Sequence, residues 1–217
     1  MSISPQLPYI VLGAGGHARV LIDALQSQGV LIESVLDADS AKHGTVIFGV
    51  QVRGGDGVLS GRDAGSCCLV NGLGSVRQPR LRQSLHERFS SLGFLFATVV
   101  HPSAIVSPNA ELGPGVQVMA GAVVQAGVRI GCGSIINTSA SVDHDCVIGA
   151  HCHIAPGAVL SGQVLIGPGS HVGAGAVVIQ GVHIGADCVV GAGAVVLRAV
   201  PDGATVAGVP AIRKGGF

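Results

Sequence analysis

Residues 104–130 read AIVSPNAELGPGVQVMAGAVVQAGVRI, and an aliphatic side chain recurs in this stretch at every sixth position. The repeat continues without a break as far as residue 196. The sixteen aliphatic repeat positions are Val106, Leu112, Val118, Val124, Ile130, Ile136, Val142, Ile148, Ile154, Leu160, Ile166, Val172, Val178, Ile184, Val190 and Val196. A period of six matches neither a helix nor a single strand, but it matches a solenoid with three flat faces. The sequence therefore predicts a parallel β-helix with about eighteen residues per coil and roughly five coils.

A small side chain precedes each aliphatic repeat position by two residues. These small repeat positions are Ala104, Ala110, Val116, Ala122, Val128, Ser134, Ala140, Cys146, Cys152, Ala158, Val164, Ser170, Ala176, Val182, Cys188 and Ala194. Residues two apart on a strand share one face, so we expect both sets to point into the solenoid. A narrow interior has no room for large rings, and aromatic residues make up only 3% of the chain.

Three of the six cysteines occupy small repeat positions, namely Cys146, Cys152 and Cys188. Cysteine often serves as a small apolar side chain in protein interiors. We therefore expect these cysteines to fill the core rather than to bind metal or form a disulfide framework. The same placement argues against Cys146 as a catalytic nucleophile.

The composition of the 217-residue chain limits its partners. Its formal net charge is zero and it has no basic run, so nothing favours nucleic acid as a partner. No apolar stretch reaches the roughly 18 residues that a membrane span requires. The first residues lack the basic and apolar regions of a secretory signal. We expect a cytoplasmic protein with no membrane span.

Residues 1–97 precede the repeat and are expected to form a separate domain. Tyr9–Leu12 is predicted to be a buried strand, and a glycine turn at residues 13–18 leads into a helix through about Gln28. The free N–H groups and the dipole of a helix N-terminus favour an anion at such a junction. The spacing also satisfies a G-x-G-x-x-A dinucleotide fingerprint, which leaves a nicotinamide enzyme as an alternative.

Two further strands are predicted in this domain, at Ser34–Leu36 and Cys67–Val70, followed by a helix at about residues 79–89. The first delivers Asp37 at its carboxyl end, where an acidic residue meets a ribose or base, and the second leads into Gly72. Three or four strands in roughly 97 residues form a single βαβαβ half, which suffices for one nucleotide but not for two. A nucleotide-linked small molecule therefore fits better than NAD.

Charged residues are rare in the repeat region. The charged residues between positions 101 and 197 are Glu111, Arg129, Asp143, Asp145 and Asp187. So uncharged a surface is typical of one that neighbouring subunits cover, and a trimer packed along the solenoid axis is the natural closed arrangement.

Two of those five charges flank His144, which lies two residues after a repeat position and is expected to face outward. A neutral imidazole oriented by a carboxylate can take a proton from a nucleophile near pH 7. Asp145 is the nearer candidate for the orienting carboxylate, and Asp143 is the alternative.

Residues eighteen apart are expected to stack on successive coils, about 4.8 Å from each other. Gly162 then lies over His144, and His171 lies over His153. A glycine above the base leaves a backbone N–H accessible where an oxyanion donor is needed.

A metal site is the competing interpretation of Asp143, His144, Asp145, His151 and His153. Carbonic anhydrases on this fold bind zinc with two histidines five residues apart and a distant third. No two histidines in this chain are five apart. We therefore predict no metal.

Several motifs together resemble one family. They are the glycine turn Gly13–His17, the segment His101–Ala104, the polar stretch Asn137–Gly149 and the terminal Gly208–Ala211. The chain is similar over nearly its whole length to the sugar O-acyltransferases of the sialic acid type, and equally to bacterial N-acetyltransferases that act on nucleotide-linked 4-amino sugars. These are hexapeptide-repeat acyltransferases. The resemblance implies a Rossmann-like nucleotide-sugar-binding domain at 1–97 and a left-handed β-helix acetyltransferase domain with a cofactor-binding tail at 98–217.

The resemblance also implies roles for individual residues. His144 is implied as the general base and Asp145 as the group that holds its tautomer. For acetyl-CoA, the implied contacts are Asn137, His153, Gly162, Ala174, Ala192, Pro210, Arg213 and Lys214. For the sugar nucleotide, they are Gly15, Gly16, His17, Asp37 and Gly72.

The activity implied is direct transfer of acetyl from acetyl-CoA to the amine of a UDP- or GDP-linked 4-amino-4,6-dideoxy sugar. A homotrimer with the cofactor between two subunits is implied as well. O-acetylation of sialic acid or another surface-glycan sugar is the nearest alternative. A non-catalytic assembly protein of hexapeptide repeats is the third, and the isolated Asp-His-Asp sequence speaks against it.

Overall fold

The computed structural model describes residues 7–75 and 79–214, and its backbone divides into two compact units, Met1–Pro102 and Ser103–Phe217. Within the described ranges, no helix has the length and apolar character needed to cross a membrane.

The first unit is an α/β unit built on one sheet. The sheet and its helices comprise β1 (Tyr9–Leu12), α1 (Gly16–Gln26), β2 (Ile32–Leu36), β3 (Val46–Ile47), β4 (Val50–Gly54), β5 (Cys68–Asn71), α2 (Pro79–Ser91) and β6 (Leu95–Phe96). A further short strand, β7 (Val99–Val100), is not part of this sheet. The sheet order is β3-β4-β2-β1-β5-β6. All neighbouring pairs are parallel except β3 with β4. The half-Rossmann fold class is confirmed.

The structure adds strands β3, β4 and β6 to the three that the sequence predicted. Strand β4 alternates buried and exposed residues along Val50–Gly54, and this pattern marks a strand with one covered face. Helix α1 ends at Gln26, two residues before the expected end. Gly29 there adopts a left-handed conformation with φ 68°, and Val30 N donates to Leu25 O, which closes the last turn.

Strand β1 lies between β2 and β5, so the strand order changes direction at β1. This is a topological switch point, where the carboxyl ends of parallel strands border a crevice. The glycine turn after β1, Asp37 after β2 and Gly72 after β5 all lie at this edge.

The second unit begins with sixteen two-residue strands, and each ends on an aliphatic repeat position. They are β8 (Ile105–Val106), β9 (Glu111–Leu112), β10 (Gln117–Val118), β11 (Val123–Val124), β12 (Arg129–Ile130), β13 (Ile135–Ile136), β14 (Ser141–Val142), β15 (Val147–Ile148), β16 (His153–Ile154), β17 (Val159–Leu160), β18 (Leu165–Ile166), β19 (His171–Val172), β20 (Val177–Val178), β21 (His183–Ile184), β22 (Val189–Val190) and β23 (Val195–Val196). A terminal hairpin follows, formed by β24 (Thr205–Ala207) and β25 (Ile212–Arg213).

Strands three apart in this series pair in parallel, with partners eighteen residues apart. Val124 is paired with Val142, and Val142 with Leu160. The strands thus form three parallel faces, which confirms the left-handed β-helix and its eighteen-residue coil. The register holds to Val196 and then changes, since Thr205 pairs with Val189, only sixteen residues away.

The interior of the second unit is the predicted one. Fourteen of the sixteen aliphatic repeat positions are buried, and Val106 and Leu112 of the first coil are half-buried. Cys146, Cys152 and Cys188 are buried, and the Cys146 Sγ donates to the carbonyl of Ser161 at 3.1 Å. All six cysteines are free thiols, and the burial of these three confirms that they fill the core.

Candidate active site

The most polar corner of the β-helix follows β14 and carries His144, whose side chain is half exposed. Its Nδ1 lies 2.9 Å from Asp145 Oδ2. Asp143 contacts the backbone instead, because its Oδ1 accepts from His144 N at 2.7 Å. Asp145 is therefore the orienting carboxylate, which decides between the two candidates that the sequence left open.

The Asp145 contact fixes which nitrogen of the imidazole is available for chemistry. With Nδ1–H donating to the carboxylate, Nε2 carries the lone pair. The hydrogen bond to Asp145 raises the pKa of His144, and the negative charges of Asp143 and Asp145 add to it, against a lowering by partial desolvation. His144 is thus an oriented imidazole of increased basicity.

Gly162 lies directly against the imidazole, as the eighteen-residue spacing predicted. A Cβ built on Gly162 would be 2.6 Å from Nε2 and 2.7 Å from Cε1 of His144, closer than any side chain can approach. The neighbouring backbone is held firmly, with Gln163 N donating to His144 O and Gly181 N to Gly162 O. Among the described residues, the Gly162 N–H has no hydrogen-bond acceptor.

Asn137 and His153 form a second polar group on one face of the β-helix. Asn137 Oδ1 accepts from Thr138 N at 2.8 Å, so its Nδ2 faces His153 Nε2 at 2.9 Å. An amide nitrogen only donates, so His153 Nε2 accepts and Nδ1 carries the proton. His153 is 5% exposed.

His171 lies one coil above His153 as predicted, and the two rings meet edge to face, with 4.9 Å between centroids and 61° between planes. Burial lowers the pKa of His171, which keeps this neighbouring imidazole neutral near pH 7.

The other residues implied for acetyl-CoA lie further along the chain. Ala174 and Ala192 are exposed and stack on adjacent coils, with Gly193 N donating to Ala174 O at 2.8 Å. Pro210 and Arg213 belong to the exposed terminal hairpin, and Pro210 follows a cis peptide bond.

The hairpin is attached to the last coil. Ala211 N donates to Val195 O, and Lys214 N donates to Thr205 O, both at 2.8 Å. Among the described residues, no hydrogen bond joins Pro210, Arg213 or Lys214 to His144 or Asp145.

The first unit contains a cavity of about 450 Å³ at the carboxyl ends of its strands. All five residues that the resemblance implied for the sugar nucleotide line it, namely Gly15, Gly16, His17, Asp37 and Gly72. No atom lies within 4 Å of a Cβ built on Gly15 or Gly16, so the start of α1 borders open space. Helix α1 has no side-chain cap at its N-terminus, which leaves that end suited to an anion.

Asp37 holds the glycine turn in place. Burial raises the pKa of Asp37, but hydrogen bonds from Asp39 N, Ala14 N and Lys42 Nζ outweigh it and lower the pKa overall. Oδ2 accepts from Ala14 N at 2.6 Å and from Lys42 Nζ at 3.1 Å. The carboxylate thus ties the turn after β1 to the end of β2.

Gly72 has a packing role besides lining the cavity. A Cβ there would be 2.8 Å from Leu12 O and 2.9 Å from the Cβ of Ala18. Only glycine allows β5 to approach the β1–α1 junction this closely.

Two cavity residues, Asp39 and Lys42, and one residue behind the cavity wall, Arg82, had no sequence signal that singled them out. Lys42 and Asp39 lie on a short 3₁₀ turn, Ser40–Lys42, and its cap. Arg82 is 4% exposed, and its Nη1 donates to the carbonyls of Asn71 and Leu73, both at 2.7 Å. Burial lowers the pKa of Arg82 to about 9. A basic residue in an amphipathic helix is usually exposed, so this buried position was not expected.

No group of three or more His, Cys, Asp or Glu side chains in the described ranges is arranged to hold a metal ion.

Comparison with known proteins identifies the family. The model of the bacterial transferase hexapeptide (six repeats) matches residues 127–162 and 163–198. Perosamine N-acetyltransferase from Caulobacter crescentus, solved as a histidine-to-asparagine mutant with CoA and GDP-perosamine, is 41% identical with a TM-score of 0.90. The alignment covers 100% of both chains.

Two further structures agree. The acetyltransferase domain of PglB from Neisseria gonorrhoeae, in complex with acetyl coenzyme A, is 40% identical over 95% of this chain and 98% of its own, with a TM-score of 0.89. WeeI from Acinetobacter baumannii is 26% identical over 96% of this chain and 100% of its own, with a TM-score of 0.85. The chain belongs to the hexapeptide-repeat acetyltransferase family that these proteins represent.

Proposed function

We propose that this chain transfers acetyl from acetyl-CoA to the 4-amino group of a UDP- or GDP-linked 4-amino-4,6-dideoxy sugar. The observation that carries the proposal is the His144–Asp145 pair beside Gly162, in a chain similar over its full length to a perosamine N-acetyltransferase solved with CoA and GDP-perosamine. The pair supplies a base, and the similarity supports the substrate class.

His144 is the general base of the proposed reaction. Its Nε2 takes a proton from the amine as the nitrogen attacks the thioester carbonyl and the C–N bond forms. The C–S bond then breaks, and the proton passes from the imidazolium to the sulfur, so CoA leaves as its thiol. Asp145 stabilises the imidazolium formed on the way and holds the tautomer that exposes Nε2.

Gly162 is the proposed oxyanion donor. Its N–H has no acceptor among the described residues, and its Cα lies against the ring that performs proton transfer. An N–H already in place when charge develops on the acetyl oxygen stabilises the transition state.

Direct transfer agrees with the cysteines of the second unit. Cys146, the cysteine nearest to His144 in sequence, is buried with its thiol bonded to a backbone carbonyl. Burial raises its pKa, which disfavours the thiolate that a covalent route requires.

The first unit is the proposed nucleotide-sugar site. Gly15, Gly16 and His17 are proposed to hold the phosphates at the free N-terminus of α1, and Asp37 to lie near the base. Lys42 lines the same cavity and supplies a cation for the diphosphate. Gly72 lines the wall on the β5 side.

Acetyl-CoA is assigned to the second unit. Asn137 and His153 are proposed to contact the thioester region. Ala174 and Ala192, stacked and exposed, are suited to a linear pantetheine arm because they present little bulk. Pro210, Arg213 and Lys214 are proposed for the adenine and phosphates.

A homotrimer with acetyl-CoA between two subunits is the proposed assembly. The β-helix exposes large apolar side chains that a neighbouring copy would cover, including Ile105, Val159, Leu165, Val189 and Leu197. The cytoplasm is the proposed location, because six free thiols suit a reducing compartment.

A thiol-release assay tests the function. Acetyl-CoA is offered with a panel of UDP- and GDP-linked 4-amino sugars, alongside free and CMP-linked sialic acid. We expect thiol release with an amino sugar and an acetamide in the product. Thiol release with sialic acid alone contradicts the proposal, and so does a lack of release with every acceptor in the panel.

A further inference from the structure

Gly127 lies one coil before Asp145 and leaves room for its carboxylate. It occupies a corner of the β-helix with φ 75°, and Asp145 N donates to the carbonyl of the preceding residue, Ala126. A Cβ built on Gly127 would collide with Asp145 Oδ1. The carboxylate therefore occupies the space that any other residue at 127 would fill.

Both oxygens of Asp145 are thus accounted for. Oδ2 contacts Nδ1 of His144 at 2.9 Å, and Oδ1 points at the missing side chain of Gly127. Asp145 has φ 61°, the left-handed conformation that glycine adopts at the equivalent corner of the previous coil. This backbone conformation is unfavourable for most residues other than glycine, so the surrounding structure must hold it. By holding the backbone, the surrounding structure also places the carboxylate.

We propose that Gly127 is a positioning residue of the acetyl transfer, acting through Asp145 on His144: its missing side chain lets the carboxylate hold the imidazole. The inference rests on the proposed function for its catalytic meaning. A methyl group at 127 would rotate the carboxylate away from Nδ1, because the end of the Asp145 side chain is the part free to move.

The charges around His144 make this contact decisive. Its own turn contributes Asp143 and Asp145, the coil before contributes Gly127, and the coil after contributes Gly162 and Gln163. Among the described residues, the charges that act on the His144 imidazole are those of Asp143 and Asp145, both in its own turn. The Asp145 hydrogen bond is the largest influence on the pKa of the imidazole.

The chain provides a matched control at another corner. Gly169 has φ 72°, and a Cβ built there would collide with Asp187 Oδ1, as at Gly127 and Asp145. The neighbours of Asp187 in sequence are Ala186 and Cys188, so this carboxylate has no adjacent histidine to orient as Asp145 orients His144. Gly169→Ala therefore reproduces the backbone strain and the displaced carboxylate without touching the base.

The experiment is an NMR titration of His144 in the wild type, Gly127→Ala, Gly169→Ala and Asp145→Asn. We expect Gly127→Ala to move the midpoint down towards that of Asp145→Asn, and Gly169→Ala to leave it unchanged. The double variant Gly127→Ala/Asp145→Asn should titrate like Asp145→Asn alone. A wild-type midpoint in Gly127→Ala, or an equal shift in Gly169→Ala, overturns the inference.

Kinetics provide the second measurement. We expect kcat to fall about tenfold in Gly127→Ala, less than the 10²-fold to 10⁴-fold that general bases contribute. The acid limb of kcat/KM should move in the same direction as the NMR midpoint. If either alanine variant fails to fold, Gly127→Asn and Gly169→Asn replace the pair, because asparagine tolerates the left-handed conformation but still carries a Cβ.

The titration separates this inference from the proposed function. If Gly127→Ala lowers the His144 midpoint but the protein acetylates no amino sugar, Gly127 still positions Asp145 and the proposed reaction is wrong. If the protein acetylates an amino sugar but Gly127→Ala leaves the His144 midpoint unchanged, the proposed reaction stands and the positioning role of Gly127 is wrong.

Discussion

Gly15 and Gly16 of the first unit and Gly127 and Gly162 of the second lack side chains for opposite reasons. In the first unit, Gly15 and Gly16 border open space, and nothing lies within 4 Å of a Cβ built on either. In the second unit, the space beside Gly127 and Gly162 is filled by Asp145 and His144. Open space beside a glycine can accept a ligand, whereas the space beside Gly127 and Gly162 is already occupied by another side chain of the protein. Substitutions at the two kinds of glycine should therefore change different kinetic constants.

The strongest test of the second unit removes the base. His144→Ala should lower kcat by roughly 10² or more while leaving the KM for both substrates near the wild-type values, because the proton acceptor is lost and binding groups remain. Steady-state kinetics measure both constants. Circular dichroism checks that the fold is intact, and turnover equal to the wild type would reduce His144 to a solvated corner residue.

Gly162→Ala tests the filled space directly. A methyl group 2.6 Å from Nε2 must displace the imidazole, and the nearby N–H moves with it. We expect kcat to fall by about 10², similar to the loss of an oxyanion donor. Single-turnover measurements with saturating substrates isolate this step. Unchanged chemistry would mean that neither the ring position nor the Gly162 N–H matters.

Asp145→Asn should alter the pH profile of kcat/KM. His144 must be neutral to accept a proton, so activity falls as pH drops through its pKa. Because Asp145 raises that pKa, its removal should move the acid limb to lower pH. At pH values above both limbs, we expect a remaining loss of about tenfold from the poorly held tautomer. An acid limb that stays in place would assign it to another group.

Gly16→Ala tests the open space of the first unit and should have the smallest effect. The residue is the first of α1, and alanine is compatible with helix, so thermal stability should be equal or slightly higher. The added methyl group intrudes on the proposed phosphate position. We expect KM for the nucleotide sugar to rise roughly fivefold to tenfold, about 1 kcal/mol of binding, with kcat unchanged. If Gly16→Ala lowered kcat and left KM unchanged, glycines of the two units would not differ in the kinetic constant that they affect.

Prediction from sequence succeeded where the pattern repeats or follows the chain. The aliphatic period located all sixteen strands of the β-helix, and the eighteen-residue spacing placed Gly162 on His144. Prediction from sequence missed strands β3, β4 and β6 of the first unit, which are short or pair with strands distant in sequence. The sequence favoured Asp145 over Asp143 but left both open, and the structure decides for Asp145, whose Oδ2 lies 2.9 Å from Nδ1 of His144. Lys42 and Arg82 could not be found because their positions result from tertiary packing.

The sequence by itself determined the coil length, the repeat positions that face inward and the cysteines among them, because a β-helix repeats one local geometry and its residues stack at a constant interval. Only the tertiary structure decided which carboxylate holds His144, which glycine leaves room for that carboxylate, and which buried cation supports the wall of the nucleotide cavity. Those contacts depend on rotamers and on backbone approaches of a few tenths of an ångström, and neither is encoded in residue spacing.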